Sequence, residues 1–364
     1  MGGHASRAAS RWSVALALLA LAGCAGEPVL DDGGLAMDAA RPDAGPDAFD
    51  DAGRDAGDDA ALADDAALAP DAGRPLRVVV LSDLNGSYGS TTYGSAVHAA
   101  VARIVALAPD LVLSTGDMVA GQQAGLDYRA MWASFHAAVS DPLAAAGIPF
   151  AVTPGNHDAS GYASFRAERA VFVDEWTRRV PDVGWQDATH YPLRYSFTMG
   201  EALFVSLDDT TVGALSSEQM AWLDAELARG AGYPVKIVYG HVPLYPFAVG
   251  RETEHIGDPA LEALLVRHGV TLFVSGHHHA YYPGRRGPLR LVSMACVGSG
   301  PRPLIGTSDP SPRSIVVFEV SGAEVRELDA FGGARFDARI ERTTLPASVG
   351  SGERRIDRDD LTSP

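Results

Sequence analysis

Residues 272–279 read Leu-Phe-Val-Ser-Gly-His-His-His, an apolar run that ends in a glycine and three histidines. The apolar part has the length and composition of a buried strand, so the histidines stand where that strand enters a loop. Four other apolar runs end in the same way, in Asp, Asn or His. The five polar fragments are Asp83-Leu84-Asn85, Gly116-Asp117, Gly155-Asn156-His157-Asp158, Gly240-His241 and Gly276-His277-His278-His279. Such side chains, delivered repeatedly from strand ends, predict one assembled metal site.

From Leu76 onward, short apolar strands alternate with helical patterns, which is typical of an α/β domain. The later strand candidates arrive in pairs with no helix between them, so we expect antiparallel neighbours and mixed sheets. The predicted strands are 77–82, 110–114, 149–152, 193–198, 202–207, 235–239, 271–275, 289–294 and 314–320. The predicted helices are 94–107, 126–146, 161–179, 216–229 and 258–268.

The first 24 residues predict an export signal. Arg7 and Arg11 precede an apolar run that is too short to span a bilayer and is typical of a secretory signal. The run ends in Leu21-Ala22-Gly23-Cys24, which resembles the lipobox of bacterial lipoproteins. That resemblance implies cleavage before Cys24 and a lipid anchor on this cysteine, at the periplasmic face of the cell envelope or in its outer membrane. The alternative is an ordinary signal peptide, which also predicts export.

Residues 25–75 predict a disordered tether that is rich in Asp, Ala, Gly and Pro. They contain 14 acidic residues against three arginines, and Phe49 is their single aromatic residue. The chain carries a net charge of −17, most of which belongs to this tether. Because the rest is also acidic, we expect no specific nucleic-acid partner. We predict a structured domain over 76–333 and interpret the charged residues 334–364 as a disordered or peripheral tail.

The five fragments resemble the calcineurin-like metallophosphoesterases, a superfamily that includes the purple acid phosphatases. The usual blocks of that superfamily are D-x-H, G-D, G-N-H-[DE], G-H and G-H-x-H, in this order, and the match runs from about Leu81 to Ala280. The resemblance implies an α/β fold in which two mixed β-sheets pack as a sandwich flanked by helices, in four layers. It also implies two divalent or trivalent metal ions (Mn, Fe, Zn or Mg) and a phosphate-ester substrate.

Carried over position by position, the resemblance implies two sets of metal ligands that share one carboxylate. The first set is Asp83, Asn85, Asp117 and His279. The second set is Asp117, Asn156, His241 and His277. Oxygen and imidazole donors suit these metals, and the fragments contain no thiolate that would demand a softer ion. Two such ions clamp the attacking and departing oxygens of an in-line displacement.

Two positions depart from the usual blocks. Asn85 stands where histidine is usual, and its neutral amide oxygen weakens the first site for zinc and favours Mn or Mg. Either Asn85 still ligates and two ions bind, or the first site loads poorly. Ala120 stands where many members carry an aspartate that steadies the catalytic histidine, so Asp158 becomes a candidate for that role.

The resemblance implies metal-dependent hydrolysis of a phosphate ester by a metal-activated hydroxide. We predict that His157 protonates or stabilises the leaving group, that Asn156 stabilises negative charge on the equatorial phosphoryl oxygens, and that Asp158 assists. Arg285 and Arg286 are candidates for grasping a phosphate, or merely exposed arginines. The alternative function is a membrane-tethered binding protein on a degenerate scaffold of this kind, for which Asn85 and Ala120 are the sequence support.

Overall fold

The computed structural model of the protein describes residues 74–298 and 300–361. The predicted signal peptide (1–24) and all but the last two residues of the predicted tether (25–75) lie outside the described residues. Across the described ranges, no helix is both long and apolar enough to cross a bilayer. The described residues comprise the predicted structured domain and most of the predicted tail.

The strands of the described residues form two mixed sheets. They are β1 Leu76–Leu81, β2 Leu111–Ser114, β3 Phe150–Val152, β4 Gly184–His190, β5 Arg194–Met199, β6 Ala202–Ser206, β7 Val235–Tyr239, β8 Leu272–Ser275, β9 Tyr282–Arg286, β10 Leu289–Ser293, β11 Ile315–Ser321, β12 Glu324–Gly332, β13 Ala338–Arg339, β14 Ser348–Val349 and β15 Ile356–Arg358. A six-stranded sheet has the order β13-β12-β11-β1-β2-β3, with β1, β2 and β3 parallel. A nine-stranded sheet has the order β14-β15-β9-β10-β8-β7-β6-β5-β4, with β6, β7, β8 and β10 parallel.

The helices cover the outer faces of both sheets. They are α1 Ser95–Leu107, α2 Tyr128–Phe135, α3 Asp141–Ala145, α4 Asn156–Ala159, α5 Arg166–Thr177, α6 Ser217–Arg229 and α7 Pro259–Arg267. The helix predicted over 126–146 is continuous from Tyr128 to Ala145, with a π-helical turn at His136–Ser140 between α2 and α3. Ser216 caps α6, since its side chain accepts a hydrogen bond from the Gln219 amide.

Alternating side chains of the central strands fill two different layers of the core. In β1, Val79 and Leu81 pack under α1, α2 and α5, whereas Val78 and Val80 pack against the other sheet. Each such fully buried aliphatic side chain stabilises the fold by about 1.5–3 kcal/mol. A third cluster lies between the nine-stranded sheet and the helices α6 and α7. The predicted sandwich of two mixed sheets flanked by helices is confirmed.

Residues 334–364 were predicted to be a disordered or peripheral tail, and up to residue 361 the structure shows an ordered segment at the sheet edges. Strand β15 pairs with β9, and β14 pairs with β15, so the segment extends the nine-stranded sheet. Ile356 is fully buried in the core cluster under that sheet. The Asp359 carboxylate accepts hydrogen bonds from Arg290 and Arg342, at 2.8 and 2.9 Å. Part of the charge that suggested a solvated tail is therefore paired with the body of the domain, as Asp359 is with Arg290.

Candidate metal centre

The predicted ligands lie at the carboxyl ends of strands from both sheets. The loops after β1, β2 and β3 carry Asp83, Asn85, Asp117 and Asn156, and the loops after β7 and β8 carry His241, His277 and His279. Parallel strands direct these loops to one edge of each sheet. The two edges are in contact: the His279 Nε2 atom, from the nine-stranded sheet, lies 3.1 Å from Asp83 Oδ1, from the six-stranded sheet.

Five of the seven predicted ligands fall into two overlapping clusters of donor atoms. Asp117, His241 and His277 form one cluster, and Asp83, Asp117 and His279 form the other; in each, the donor atoms lie within 4.8 Å of one another. All of these residues are buried. Asp117 belongs to both clusters, as expected of a carboxylate that bridges two cations.

The backbone is constrained where it presents these side chains. Among the described residues, eight other than glycine have a positive φ, and four of them are predicted ligands: Asp83, Asp117, His277 and His279. A positive φ costs free energy for a residue other than glycine, and residues in this conformation are concentrated at functional sites. Close backbone approach explains two glycines as well. A Cβ at Gly155 would lie 2.1 Å from the Asp117 nitrogen, and one at Gly276 would lie 2.2 Å from Ser82 Oγ.

Each predicted histidine ligand has one ring nitrogen held by an oxygen outside the cluster. The Nδ1 atom of His241 lies 2.8 Å from the Thr115 carbonyl oxygen, and that of His279 lies 2.8 Å from the Gly300 carbonyl oxygen. In His277 it is Nε2 that is held, 3.0 Å from the Glu254 carboxylate. The other nitrogen of each ring is thereby directed into the site, which is the usual orientation of metal-binding histidines.

The buried ionisable groups of the site shift the pKa values of one another. Burial disfavours the charged forms of Asp117 and His241, yet their mutual attraction outweighs it. The pKa of Asp117 lies below its usual range, and the pKa of His241 rises to about 9. Burial, followed by the neighbouring charge of His241, lowers the pKa of His277 well below its ordinary value. Asp117 and His241 therefore form a buried pair in which each charge offsets the other.

The hydrogen-bonding pattern around His241 fits a metal ligand. Its Nδ1 faces the Thr115 carbonyl, and its Nε2 lies 2.8 Å from the Asn156 Oδ1 atom. A neutral imidazole carries one N–H and cannot donate to both oxygens. A second proton or a cation beside Nε2 resolves the conflict. The donor set of carboxylate, amide oxygen and imidazole is also the set that suits the predicted metals.

Two asparagines complete the predicted ligand set. The Asn156 amide is oriented by Gln122, whose Oε1 accepts a hydrogen bond from Asn156 Nδ2 at 2.9 Å, so that Oδ1 faces His241. Asn85 is nearly buried, and its backbone N–H donates to the Asp117 carbonyl at 3.1 Å. Asn85 thus lies beside the backbone of Asp117, and its role as a ligand stays a prediction.

His157 and Asp158, two predicted catalytic residues of α4, contact different parts of the structure. The His157 Nδ1 atom donates to the Gly121 carbonyl at 3.0 Å, and its Nε2 lies 4.0 Å from Asp117 Oδ2, at the edge of the clusters. The suggestion that Asp158 steadies His157 is wrong. Asp158 accepts hydrogen bonds from the backbone nitrogens of Met118, Val119 and Gly155, because successive helical residues point in different directions. Asp158 is fully buried and holds the Asp117 loop in place.

Other polar residues that the sequence singled out lie elsewhere. His278 points away from the clusters, since it accepts a hydrogen bond from the Phe247 nitrogen and donates one to the Glu254 carbonyl. The hypothesis that Arg286 grasps a substrate phosphate has no support. Its guanidinium is bonded to Glu262 at 2.7 Å and lies over the ring of Tyr245. On β9, the backbone of Arg285 pairs with Arg290 and Asp357. Arg285 lies near the carboxyl end of this strand, whereas the site lies at its amino end, after His279.

Sequence reasoning missed Gln122 and Glu254, which orient Asn156 and His277. Both lie in loops without a recognisable motif, and Gln122 has a positive φ of 66°. The left-handed conformation of a glutamine has no signature in the sequence. The one hint for Glu254 is that it is a carboxylate downstream of the Gly240-His241 fragment. Glu252 is another such carboxylate, so the sequence does not distinguish the two.

The profile of the family described as "Calcineurin-like phosphoesterase" matches residues 76–281, which is more than half of the chain. The chain belongs to the calcineurin-like phosphoesterase family. Membership supports metal-dependent hydrolysis of phosphate esters, and the family uses divalent metals. The two donor clusters lie within the matched region.

Curated relatives of this family member include plant purple acid phosphatases. Purple acid phosphatase 18 of Arabidopsis thaliana is 30% identical over 203 residues, which cover 52% of this chain and 45% of the relative. Purple acid phosphatase 15 of the same plant is 25% identical over 235 residues, covering 58% and 41%. The chain therefore spans less than half the length of these relatives.

A solved structure shares the fold of this phosphoesterase. The purple acid phosphatase PPD1 from yellow lupin (Lupinus luteus) seeds superposes with a TM-score of 0.55 at 18% identity. The likeness covers 71% of this chain and 52% of the lupin chain. At this identity it supports the two-sheet fold alone.

Proposed function

We propose that this protein hydrolyses phosphate esters with a pair of metal ions at the meeting edge of its two sheets. The proposal is carried by one observation, the presence of Asp117 in both clusters of donor atoms. Asp83, Asn85, Asp117 and His279 would hold one ion. Asp117, Asn156, His241 and His277 would hold the other. When bound, such cations supply Lewis acidity, which lowers the pKa of water and offsets charge on the phosphoryl oxygens.

The chain's own residues position the reacting groups. His157 is the proposed acid because its Nδ1 is engaged by Gly121, which leaves Nε2 facing the clusters. In its protonated form, Nε2 gives a proton to the leaving oxygen as the phosphorus–oxygen bond breaks. The oxygen of a water molecule forms the new bond to phosphorus and releases its proton to solvent. One N–H of Asn156 Nδ2 is held by Gln122, and the other is directed to a phosphoryl oxygen.

The proposed function is tested against the binding-protein alternative by one paired measurement. Metal content of the purified protein is determined together with hydrolysis of p-nitrophenyl phosphate and of its bis ester. Two ions per chain with turnover support the hydrolase. One ion or none, without turnover of either ester after loading with Mn, favours the tethered binding protein that Asn85 and Ala120 suggest.

We further propose that the protein is exported and anchored to the cell envelope through a lipid on Cys24. The support is the apolar run after Arg11 and the Leu21-Ala22-Gly23-Cys24 sequence. Mass spectrometry of the mature amino terminus in the native host tests this proposal. An unmodified terminus at another residue would contradict it.

A further inference from the structure

An exposed aromatic ring stands beside the proposed acid. The ring of Tyr88 lies 5.3 Å from the imidazole of His157, centroid to centroid, at an interplanar angle of 55°. Tyr88 is 48% exposed, which is high for a large aromatic side chain in a folded domain. Because His157 is itself partly exposed, the two rings form one wall at the rim of the candidate metal centre.

The loop that carries Tyr88 is fixed to the loop that carries Asp117. The Gly89 nitrogen, one residue after Tyr88, donates to the Ala120 carbonyl at 2.9 Å. Gly89 has a φ of 74°, and a Cβ at this position would lie 2.8 Å from a Leu126 methyl group. Further along, the Tyr93 hydroxyl donates to the Met118 carbonyl at 2.7 Å. Tyr88 is therefore presented by an anchored loop.

His157 is fixed to the same loop. Its carbonyl oxygen accepts a hydrogen bond from the Gly121 nitrogen, and its Nδ1 donates to the Gly121 carbonyl, both at 3.0 Å. Tyr88 and His157 are thus attached to adjacent residues of one frame, Ala120 and Gly121. Such double attachment fixes the backbones that carry the two rings relative to each other, which a selective contact requires.

We propose that Tyr88 selects phosphate esters with a planar aromatic leaving group. The inference rests on the proposed function, in which the leaving oxygen takes its proton from His157. A leaving group that departs toward His157 comes into contact with Tyr88. A planar ring gains stacking energy from that contact beyond the burial of apolar area, whereas a saturated ring gains the burial alone.

A pair of substrates isolates this contribution. Benzyl phosphate and cyclohexylmethyl phosphate have leaving alcohols of similar size and acidity, and they differ in the aromaticity of the ring. We expect kcat/KM of the Mn-loaded protein to favour the benzyl ester, and Tyr88→Ala to reduce the benzyl-to-cyclohexylmethyl ratio by roughly 2–10-fold. Tyr88→Phe should keep the ratio. Tyr162→Ala, which removes another exposed tyrosine, is the matched control and should also keep it.

A binding measurement separates this inference from the proposed function. Calorimetry with benzylphosphonate and cyclohexylmethylphosphonate needs no turnover, because neither compound can be hydrolysed. Tighter binding of the benzyl compound, lost in Tyr88→Ala, supports the inference even if no ester is hydrolysed. Equal affinities in the wild type, or an equal loss of both compounds in Tyr88→Ala, would overturn it.

Discussion

The two sheets contribute different chemistry to the candidate metal centre. The six-stranded sheet supplies all of its predicted oxygen ligands, which are Asp83, Asn85, Asp117 and Asn156. The nine-stranded sheet supplies all of its predicted imidazoles, which are His241, His277 and His279. One edge is therefore acidic and the other basic. Each cluster of donor atoms combines side chains from both.

This division implies that the centre depends on how the sheets pack. The three ionisable donors of each cluster come from both sheets, so the core between the sheets sets the distances at the site. Val80 and Leu113 of one sheet and Tyr239 and Val274 of the other belong to the same cluster, next to the strand ends that carry the donors. The close packing of this core explains how loops so distant in sequence can be placed accurately.

The largest expected effect comes from removing the shared carboxylate on the acidic edge. Asp117→Asn should weaken the binding of both ions and reduce turnover by roughly 10³-fold, because one negative charge serves both clusters. Metal analysis after dialysis, combined with an ester assay, measures both effects. Asp83→Asn should release one ion, and Asp174→Asn, at a partly exposed position on α5, should release none. Two retained ions in Asp117→Asn would contradict a bridging role.

Removing the proposed acid should separate catalysis from metal binding. His157→Ala is expected to lower kcat by roughly 10²–10⁴-fold while metal content stays unchanged, since the imidazole lies at the edge of the clusters. His98→Ala, on the exposed face of α1, is the matched control. Unchanged hydrolysis in His157→Ala would remove this residue from the mechanism.

On the imidazole edge, Glu254 should act as a positioning residue. Glu254→Ala leaves His277 Nε2 without its carboxylate partner and should weaken metal affinity by about 10–100-fold. Glu254→Gln keeps an oxygen acceptor and should restore part of the loss. Isothermal titration with Mn compares the three proteins. Identical affinities would show that Glu254 does not orient His277.

The smallest expected effect comes from a substitution that adds an imidazole to the edge that otherwise supplies oxygen ligands. Asn85→His places an imidazole among the oxygen donors and should raise the preference for zinc over manganese by roughly tenfold. Competition between the two ions, followed by metal analysis, gives this ratio. If the ratio matches that of the wild type, Asn85 is not a ligand.

The sequence predicted the central strands of the two sheets better than the strands at or near the sheet edges. Strands β1, β2, β7 and β8 are apolar runs buried on both faces, so their ends and the donors that follow were recognisable. The edge strand β4 and the charged β12 carry many polar side chains, and neither was predicted. Residues 334–361 were misjudged because a strand that pairs at a sheet edge needs few apolar side chains of its own.

Within the site, donors in motifs were predictable, whereas their supports were not. Gln122 and Glu254 act through contacts between loops that are far apart in sequence, and these contacts depend on tertiary structure. Asp158 was misassigned for a related reason. Its position next to His157 in sequence suggested contact, but α4 turns its carboxylate toward the backbone of the Asp117 loop.

Anomalous diffraction from a crystal soaked in manganese tests the central claim most directly. The account predicts two peaks about 3.5–4 Å apart, with the Asp117 carboxylate between them. One peak should lie beside Asp83 and His279, and the other beside His241 and His277. A single peak, or peaks away from Asp117, would contradict the account.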